Sequence, residues 1–217
     1  MKIRTKKMIK LGVAISLLML GVVSAALYTK NKAAYNVTLR EKFHGTLLTQ
    51  PREIPSFLLT DTNGVPFSQS NLKDRWTMMF FGFTRCGFLC PTTMKELGKM
   101  YRRLEGHHVS SMPHVVMISI DPERDSLDHL KTYVKAFHPS FDGAAGSEEM
   151  THALTKSLGV AYAKIKADPH APAKTDDIEH TGAIMLFNPS GQLAAFFTTP
   201  HLAEDMADDF ELLLKAN

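Results

Sequence analysis

The sequence predicts an α/β fold, and three observations carry that expectation. Two nearly continuous apolar runs, Trp76 to Phe83 (WTMMFFGF) and Val115 to Ile120 (VVMISI), have the look of strands buried on both faces of a sheet. Each is followed by apolar residues at helical spacing. These are Met94, Leu97, Met100 or Tyr101 and Leu104 after the first, and Leu127, Leu130, Tyr133 or Val134 and Phe137 after the second. The chain then closes with two strand-like runs, Ala183 to Phe187 and Gln192 to Phe197, around the turn Asn188-Pro189-Ser190-Gly191. A helix through Leu202, Met206, Phe210, Leu213 and Leu214 follows. Alternating buried strands and helices imply helices on both faces of one sheet.

The N-terminus has a different character. Lys2, Arg4, Lys6, Lys7 and Lys10 lie in a basic tail, residues 1–10, ahead of an uncharged run from Leu11 to Tyr28. These 18 residues are just long enough to cross a bilayer as a helix. The basic flank predicts that the tail stays in the cytoplasm. The expectation is a single-pass inner-membrane anchor over 11–28, with the C-terminal domain in the periplasm. The competing reading is a cleaved signal peptide, for which Val23-Ser24-Ala25 offers small residues. No cysteine follows the run, so a lipid anchor is not expected.

Residues 29–50 read as a stalk, with Pro51 and Pro55 at its end, and residues 51–217 as the folded domain. Ser56 to Thr60 and Val65 to Phe67 flank Asn63-Gly64, a strong hairpin signal, and predict an N-terminal hairpin extension. Asn71-Leu72-Lys73 marks a helical turn. Met150 to Leu158 is a third helix stopped by Gly159, and Tyr162 to Ile165 a short strand. Residues 168–177 (DPHAPAKTDD) form a polar loop.

The formal charge of +3 comes from the tail. Residues 1–30 hold six basic and no acidic side chains, which leaves 19 basic against 22 acidic in the remainder. An exported part of net charge −3 gives no footprint for nucleic-acid binding.

The only cysteines, Cys86 and Cys90, lie in FFGFTRCGFLCP. A disulfide between them closes only a five-residue ring and restrains little chain entropy, so a reactive or metal-binding role fits better. They follow a buried strand and precede Pro91, a residue suited to the first turn of a helix. A strand feeding two thiols at a helix start is the layout of a thioredoxin-like active site. Helix N-termini offer free N–H groups and partial positive charge, which favour thiolate. The three intervening residues give a roomier bite for an ion between the sulfurs. Soft thiolates select soft ions, Cu(I) foremost outside the cytoplasm, and two sulfurs call for a third ligand.

Among ten histidines, His180 stands apart. It lies at the threshold of the Ala183–Phe187 strand, where a thioredoxin-like plan brings the chain back to the thiols. Positions 178–188 contain no proline, although ordinary thioredoxin relatives carry a cis-proline there. An imidazole beside two thiolates gives a three-coordinate copper site. His44 falls in the stalk. His107, His108 and His114 fall in a loop. His129, His138 and His152 read as surface residues on helical segments. His170 and His201 are bystanders or secondary contacts.

Three separated motifs resemble the Sco/SenC family of copper-binding thioredoxin-like proteins: FFGFTRCGFLCPTTM, VVMISIDPERDS and EHTGAIMLFNPSG. The resemblance runs from about residue 51 to the C-terminus, and the anchor and stalk also fit. It implies that Cys86, Cys90 and His180 bind copper, as Cu(I), Cu(II) or both. It also implies a role in delivering copper to, or maturing, the dicopper centre of cytochrome c oxidase subunit II. Asp121 and Arg124 match the second motif, where charge pairing in a strand-to-helix turn is the plain alternative to contact with copper or a partner. The chain departs from many members in the inter-cysteine loop, with Gly87-Phe88 in place of Pro-Asp. Phe88 and Leu89 put an apolar surface beside the metal. The alternative is an exported thiol-disulfide oxidoreductase that uses the same cysteine pair and has no need of His180.

Overall fold

The structure, a computed structural model, describes residues 19–27, 29–30, 37–164 and 178–216. It separates into two units, Met1–Lys42 and Phe43–Asn217. In the first, residues 19–27, 29–30 and 37–42 are helical. Met19, Leu20, Val22, Val23 and Leu27 are each more than half exposed. Most of the expected 11–28 span (11–18 and 28) lies outside the described residues, as does the 168–177 loop with His170. Among the described residues no helix is long and apolar enough to cross a membrane.

Among the described residues the second unit holds ten strands: β1 (Thr46–Arg52), β2 (Leu58–Asp61), β3 (Pro66–Ser68), β4 (Thr77–Gly82), β5 (His114–Ser119), β6 (Asp142–Ala145), β7 (Tyr162–Lys164), β8 (Ile178–His180), β9 (Ile184–Phe187) and β10 (Leu193–Phe197). Its helices are α1 (Leu89–Gly106), α2 (Leu127–Lys135), α3 (Glu148–Leu158) and α4 (Ala203–Ala216). Eight strands form one sheet in the order β1-β10-β9-β4-β5-β6-β2-β3, and β7 and β8 form a separate ribbon. Strands β4, β5 and β6 run parallel, while β9, β10 and β1 extend one side antiparallel.

All six residues of β4 are buried, as its unbroken apolar run requires of a central strand covered on both faces. Phe80 and Phe81 are both fully buried, each contributing roughly 1.5–3 kcal/mol of transfer free energy. The β2–β3 hairpin turns at Gly64, whose φ of +80° suits glycine. Gly159 ends α3 in the same left-handed conformation. Helix α1 packs against α4, and α2 lies on β6.

Three strands differ from the sequence expectation. Residues 46–50, read as the end of the stalk, belong to β1, which pairs with β10 at the sheet edge. An edge position tolerates Pro51, whose missing N–H breaks a central ladder. Strand β6 has the sequence DGAA and no apolar run, because pairing with β5 and β2 makes it a strand. A Cβ on Gly143 would meet Leu130 Cγ at 2.6 Å, so glycine there lets α2 close on the sheet. Strand β8 contains His180, which therefore sits in the β7–β8 ribbon rather than in the approach to β9. Two histidines are also less exposed than expected. His138 is buried against Tyr101 and Phe141, and His114 opens β5 and pairs with Asp142.

The entrance to β1 is clamped to α4. Buried Asp209 accepts hydrogen bonds from His44 N at 2.9 Å, His44 Nδ1 at 2.9 Å and Gly45 N at 2.8 Å. The Asp209 bond raises the His44 pKa above its ordinary value, against a smaller opposing effect of burial. A raised folded-state pKa gives stability that is fully present below the unfolded value and lost as pH rises through the folded one. The wild-type protein is thus expected to lose thermal stability relative to His44→Gln between about pH 6 and pH 8. Parallel melting curves across that range would contradict the clamp.

Candidate metal centre

Strand β4 delivers the chain to the thiols. After Gly82 and Phe83, a turn through Thr84 and Arg85 brings Cys86 just ahead of α1, and Cys90 is the second residue of that helix. Cys86 is half-buried and Cys90 fully buried, and the two are not joined by a disulfide. Cys90 N, an amide in the first turn of the helix, donates to Cys86 Sγ at 3.3 Å. The Cys86 thiol is lowered to about 3, first by a hydrogen bond from the Cys90 side chain and further by the Cys90 and Phe88 amides, with burial opposing. Cys86 is therefore a thiolate at neutral pH.

Gly82 makes room for the second sulfur. A Cβ there would lie 2.9 Å from Cys90 Sγ and 2.8 Å from Phe80 Cε1. Nearby, burial first, and then negative charge at the thiol pair and at Asp125, push the Tyr133 hydroxyl up, so it stays protonated. Among the described residues that hydroxyl has no hydrogen-bond partner.

His180 arrives from the other side. Tyr162 pairs with it across the ribbon, and Thr181 N donates to Ala161 O at 2.9 Å. Its ring packs edge-on to Phe83, with centroids 5.8 Å apart. His180 Nδ1 donates to Thr181 O at 3.1 Å. A carbonyl can only accept, so in the neutral ring the lone pair is on Nε2. That atom stands 3.3 Å from Cys90 Sγ. One donor atom each from Cys86, Cys90 and His180 lie within 4.8 Å of one another, and no other such group of three occurs among the described residues. The chain thus brings together the three side chains that the sequence singled out.

Two thiols and an imidazole nitrogen with a fixed tautomer suit a soft ion. A cleft of about 670 Å³ opens beside them, lined by Cys86, Phe88, Leu89, Tyr162, Ile178 and His180 among others. Phe88 is 76 % exposed at its rim, so the apolar surface expected next to the thiols is present.

Asp121 and Arg124 form the turn pair, with Arg124 Nε donating to the buried Asp121 carboxylate. The residue of that motif that reaches the thiol loop is Asp125, which the sequence reading passed over. Its buried carboxylate accepts from Thr84 N at 3.1 Å, Thr84 Oγ1 at 2.6 Å and Ser119 Oγ at 2.8 Å. A carboxylate just after a buried strand, level with a polar loop, is the signal that points to it.

Fold and donor set together define a thioredoxin-like α/β protein with a Cys-Cys-His site. The family model described as SCO1/SenC matches residues 46–215, and the chain belongs to that family. It is 35 % identical over 155 residues to a putative copper-binding protein of Stutzerimonas stutzeri, covering 71 % of this chain and 73 % of that one. It is 31 % identical over 152 residues to the mitochondrial SCO2 homolog of Homo sapiens, covering 70 % of this chain and 56 % of the human one. Among solved structures, copper-bound yeast Sco1 superposes with a TM-score of 0.68 at 25 % identity, covering 77 % of this chain and 91 % of that one. Copper-bound ScoI of Arabidopsis thaliana superposes with a TM-score of 0.66 at 27 % identity, covering 75 % and 96 %.

Proposed function

We propose that this chain is a copper carrier in which Cys86, Cys90 and His180 hold one copper ion as cargo. The observation that carries the reading is the convergence of those three donors within 4.8 Å, across 90 residues of sequence. Relatives described as copper-binding or solved with copper bound support the choice of ion. Cu(I) is the species best matched to two thiolates, and the imidazole also suits Cu(II).

The recipient is the dicopper centre of cytochrome c oxidase subunit II or another copper acceptor, as the family resemblance implies. A partner collects the ion from the cleft side, because Cys90 is buried and Cys86 is half-exposed there. The domain works in the periplasm on a single-pass inner-membrane anchor over 11–28. The basic residues before that run and the exposed apolar side chains from Met19 to Leu27 support the anchor.

A second reading, an exported thiol-disulfide reductase, rests on the depressed Cys86 thiol. The Cys86 thiolate attacks one sulfur of a target disulfide and expels the other as a thiolate. Cys90 then attacks the mixed disulfide, which leaves a Cys86–Cys90 disulfide and a fully reduced target. The two activities exclude each other at any moment, since an oxidised pair has no thiolates to offer copper.

Anaerobic copper titration of the reduced full chain in detergent, followed by X-ray absorption, tests the assignment. One equivalent with sulfur and nitrogen neighbours is expected. His180→Ala is expected to lose roughly 10–100-fold in affinity with the fold intact. Unchanged affinity and spectra in that variant would remove His180 from the site, and rapid insulin reduction with negligible copper affinity would favour the reductase.

A further inference from the structure

His201, between β10 and α4, is 9 % exposed and is neither a donor of the copper site nor an ordinary surface residue. Its Nε2 donates to Gly182 O at 2.6 Å. Since the carbonyl only accepts, the ring proton is on Nε2. Among the described residues Nδ1 has no hydrogen-bond partner, so that one bond to the main chain sets the orientation of the ring.

Gly182 occupies a strategic place. It follows Thr181, whose carbonyl fixes the His180 tautomer, and it is itself buried. A Cβ on Gly182 would lie 3.0 Å from Leu89 Cδ1 and 2.7 Å from Thr199 Cγ2. The backbone of residue 182 therefore rests on the side chain next to Cys90. Here the segment carrying His180 touches the first turn of α1, which carries Cys90.

We propose that His201 is a positioning residue for the metal centre: by holding the Gly182 carbonyl it pins the 180–182 segment against Leu89 and keeps the His180 imidazole within reach of both sulfurs. This inference rests on the copper reading above. His201 touches no metal in this scheme, and its effect passes entirely through His180.

The test uses the reduced full chain in detergent and four variants: His201→Leu, His201→Gln, His180→Ala and the double variant His180→Ala with His201→Leu. The glutamine amide carries an N–H donor close to the Nε2 position, whereas leucine fills space without a donor. His201→Leu is expected to lose about tenfold in copper affinity. Its X-ray absorption should lose nitrogen scattering while the two sulfurs remain. His201→Gln should stay within about threefold of wild type, because the donor is restored. In the His180→Ala background, His201→Leu should change nothing further.

The proposal is overturned if His201→Leu keeps wild-type affinity and nitrogen scattering, or if its loss persists in the His180→Ala background. His180→Ala that binds like wild type would instead overturn the ligand assignment, a separate failure. Should the leucine variant not fold, long-range proton–nitrogen NMR of the wild type decides. An exchange-protected Nε2 proton on His201 supports the bond to Gly182, and an Nδ1–H tautomer refutes it.

Discussion

Serine at Cys86 or at Cys90 is expected to abolish tight copper binding, a loss on the order of 10³-fold or about 4 kcal/mol in the reduced protein. The effect is large because each change removes a soft anionic donor and supplies a hard, neutral hydroxyl. Cys86 meets the ion as a preformed thiolate, since the Cys90 side chain and then the first-turn amide of α1 already hold its pKa near 3. Cys90 presents its sulfur from a fully buried position that Gly82 keeps open, so no water can stand in for it. Anaerobic competition against a Cu(I) chelator measures both losses. The same thiolate predicts a pH dependence. A depressed folded-state pKa gives stability that is complete above the ordinary thiol range and is lost as pH falls through the folded value. The reduced wild type should therefore lose stability relative to Cys86→Ser as pH falls from about 9 toward 3. Cys86 should also react with iodoacetamide at pH 5 almost as fast as at pH 7. A labelling rate that climbs only through pH 8–9 would mean an ordinary thiol and a different account of the site.

The parts of this fold that were legible in the sequence are those with local causes. Strand β4 announced itself through the nearly continuous apolar run Trp76 to Phe83, the β2–β3 hairpin through Asn63-Gly64, and α3 through its periodicity and Gly159. The thiol pair declared itself by spacing and by Pro91, and His180 by its place before the closing hairpin. What stayed hidden was set by partners distant in sequence. Residues Asp142–Ala145 carry no strand signal of their own and are ordered by neighbours on both sides. Residues 46–50 looked like stalk because an edge strand needs no continuous apolar face. His138 and His201 looked like surface residues or bystanders, although both are buried. Asp125 was in plain view inside VVMISIDPERDS, but only the folded chain shows that its carboxylate turns toward Thr84, 41 positions earlier.

Asp125→Ala is expected to destabilise the domain by about 3 kcal/mol and to weaken copper binding as well. The carboxylate is buried and is shared by three donors: Thr84 N, Thr84 Oγ1 and Ser119 Oγ. Ser119 Oγ in turn accepts from Asp121 N, so the network also reaches the turn after β5. Alanine leaves these donors without their acceptor in a largely buried region, at about 1–3 kcal/mol for each group left unsatisfied. Partial entry of water keeps the total below the simple sum. For a domain of this size, 3 kcal/mol corresponds to a fall in melting temperature of roughly 6–12 °C. Asp125→Asn should be intermediate. Its carbonyl oxygen can still accept from Thr84 Oγ1, but its amide group faces the Thr84 N–H donor-to-donor. The consequence for metal follows from the chain path, because Thr84 stands two residues before Cys86 and ties that turn to the end of β5 through Asp125. With that anchor gone, Cys86 samples positions from which it no longer meets Cys90 and His180 together, and roughly tenfold in affinity should be lost. Calorimetric melting and copper titration on the same sample separate the two effects. A melting temperature within about 2 °C of wild type would show that Thr84 and Ser119 do not depend on this carboxylate. A destabilised protein with undiminished affinity would show that the thiol loop holds its shape without it.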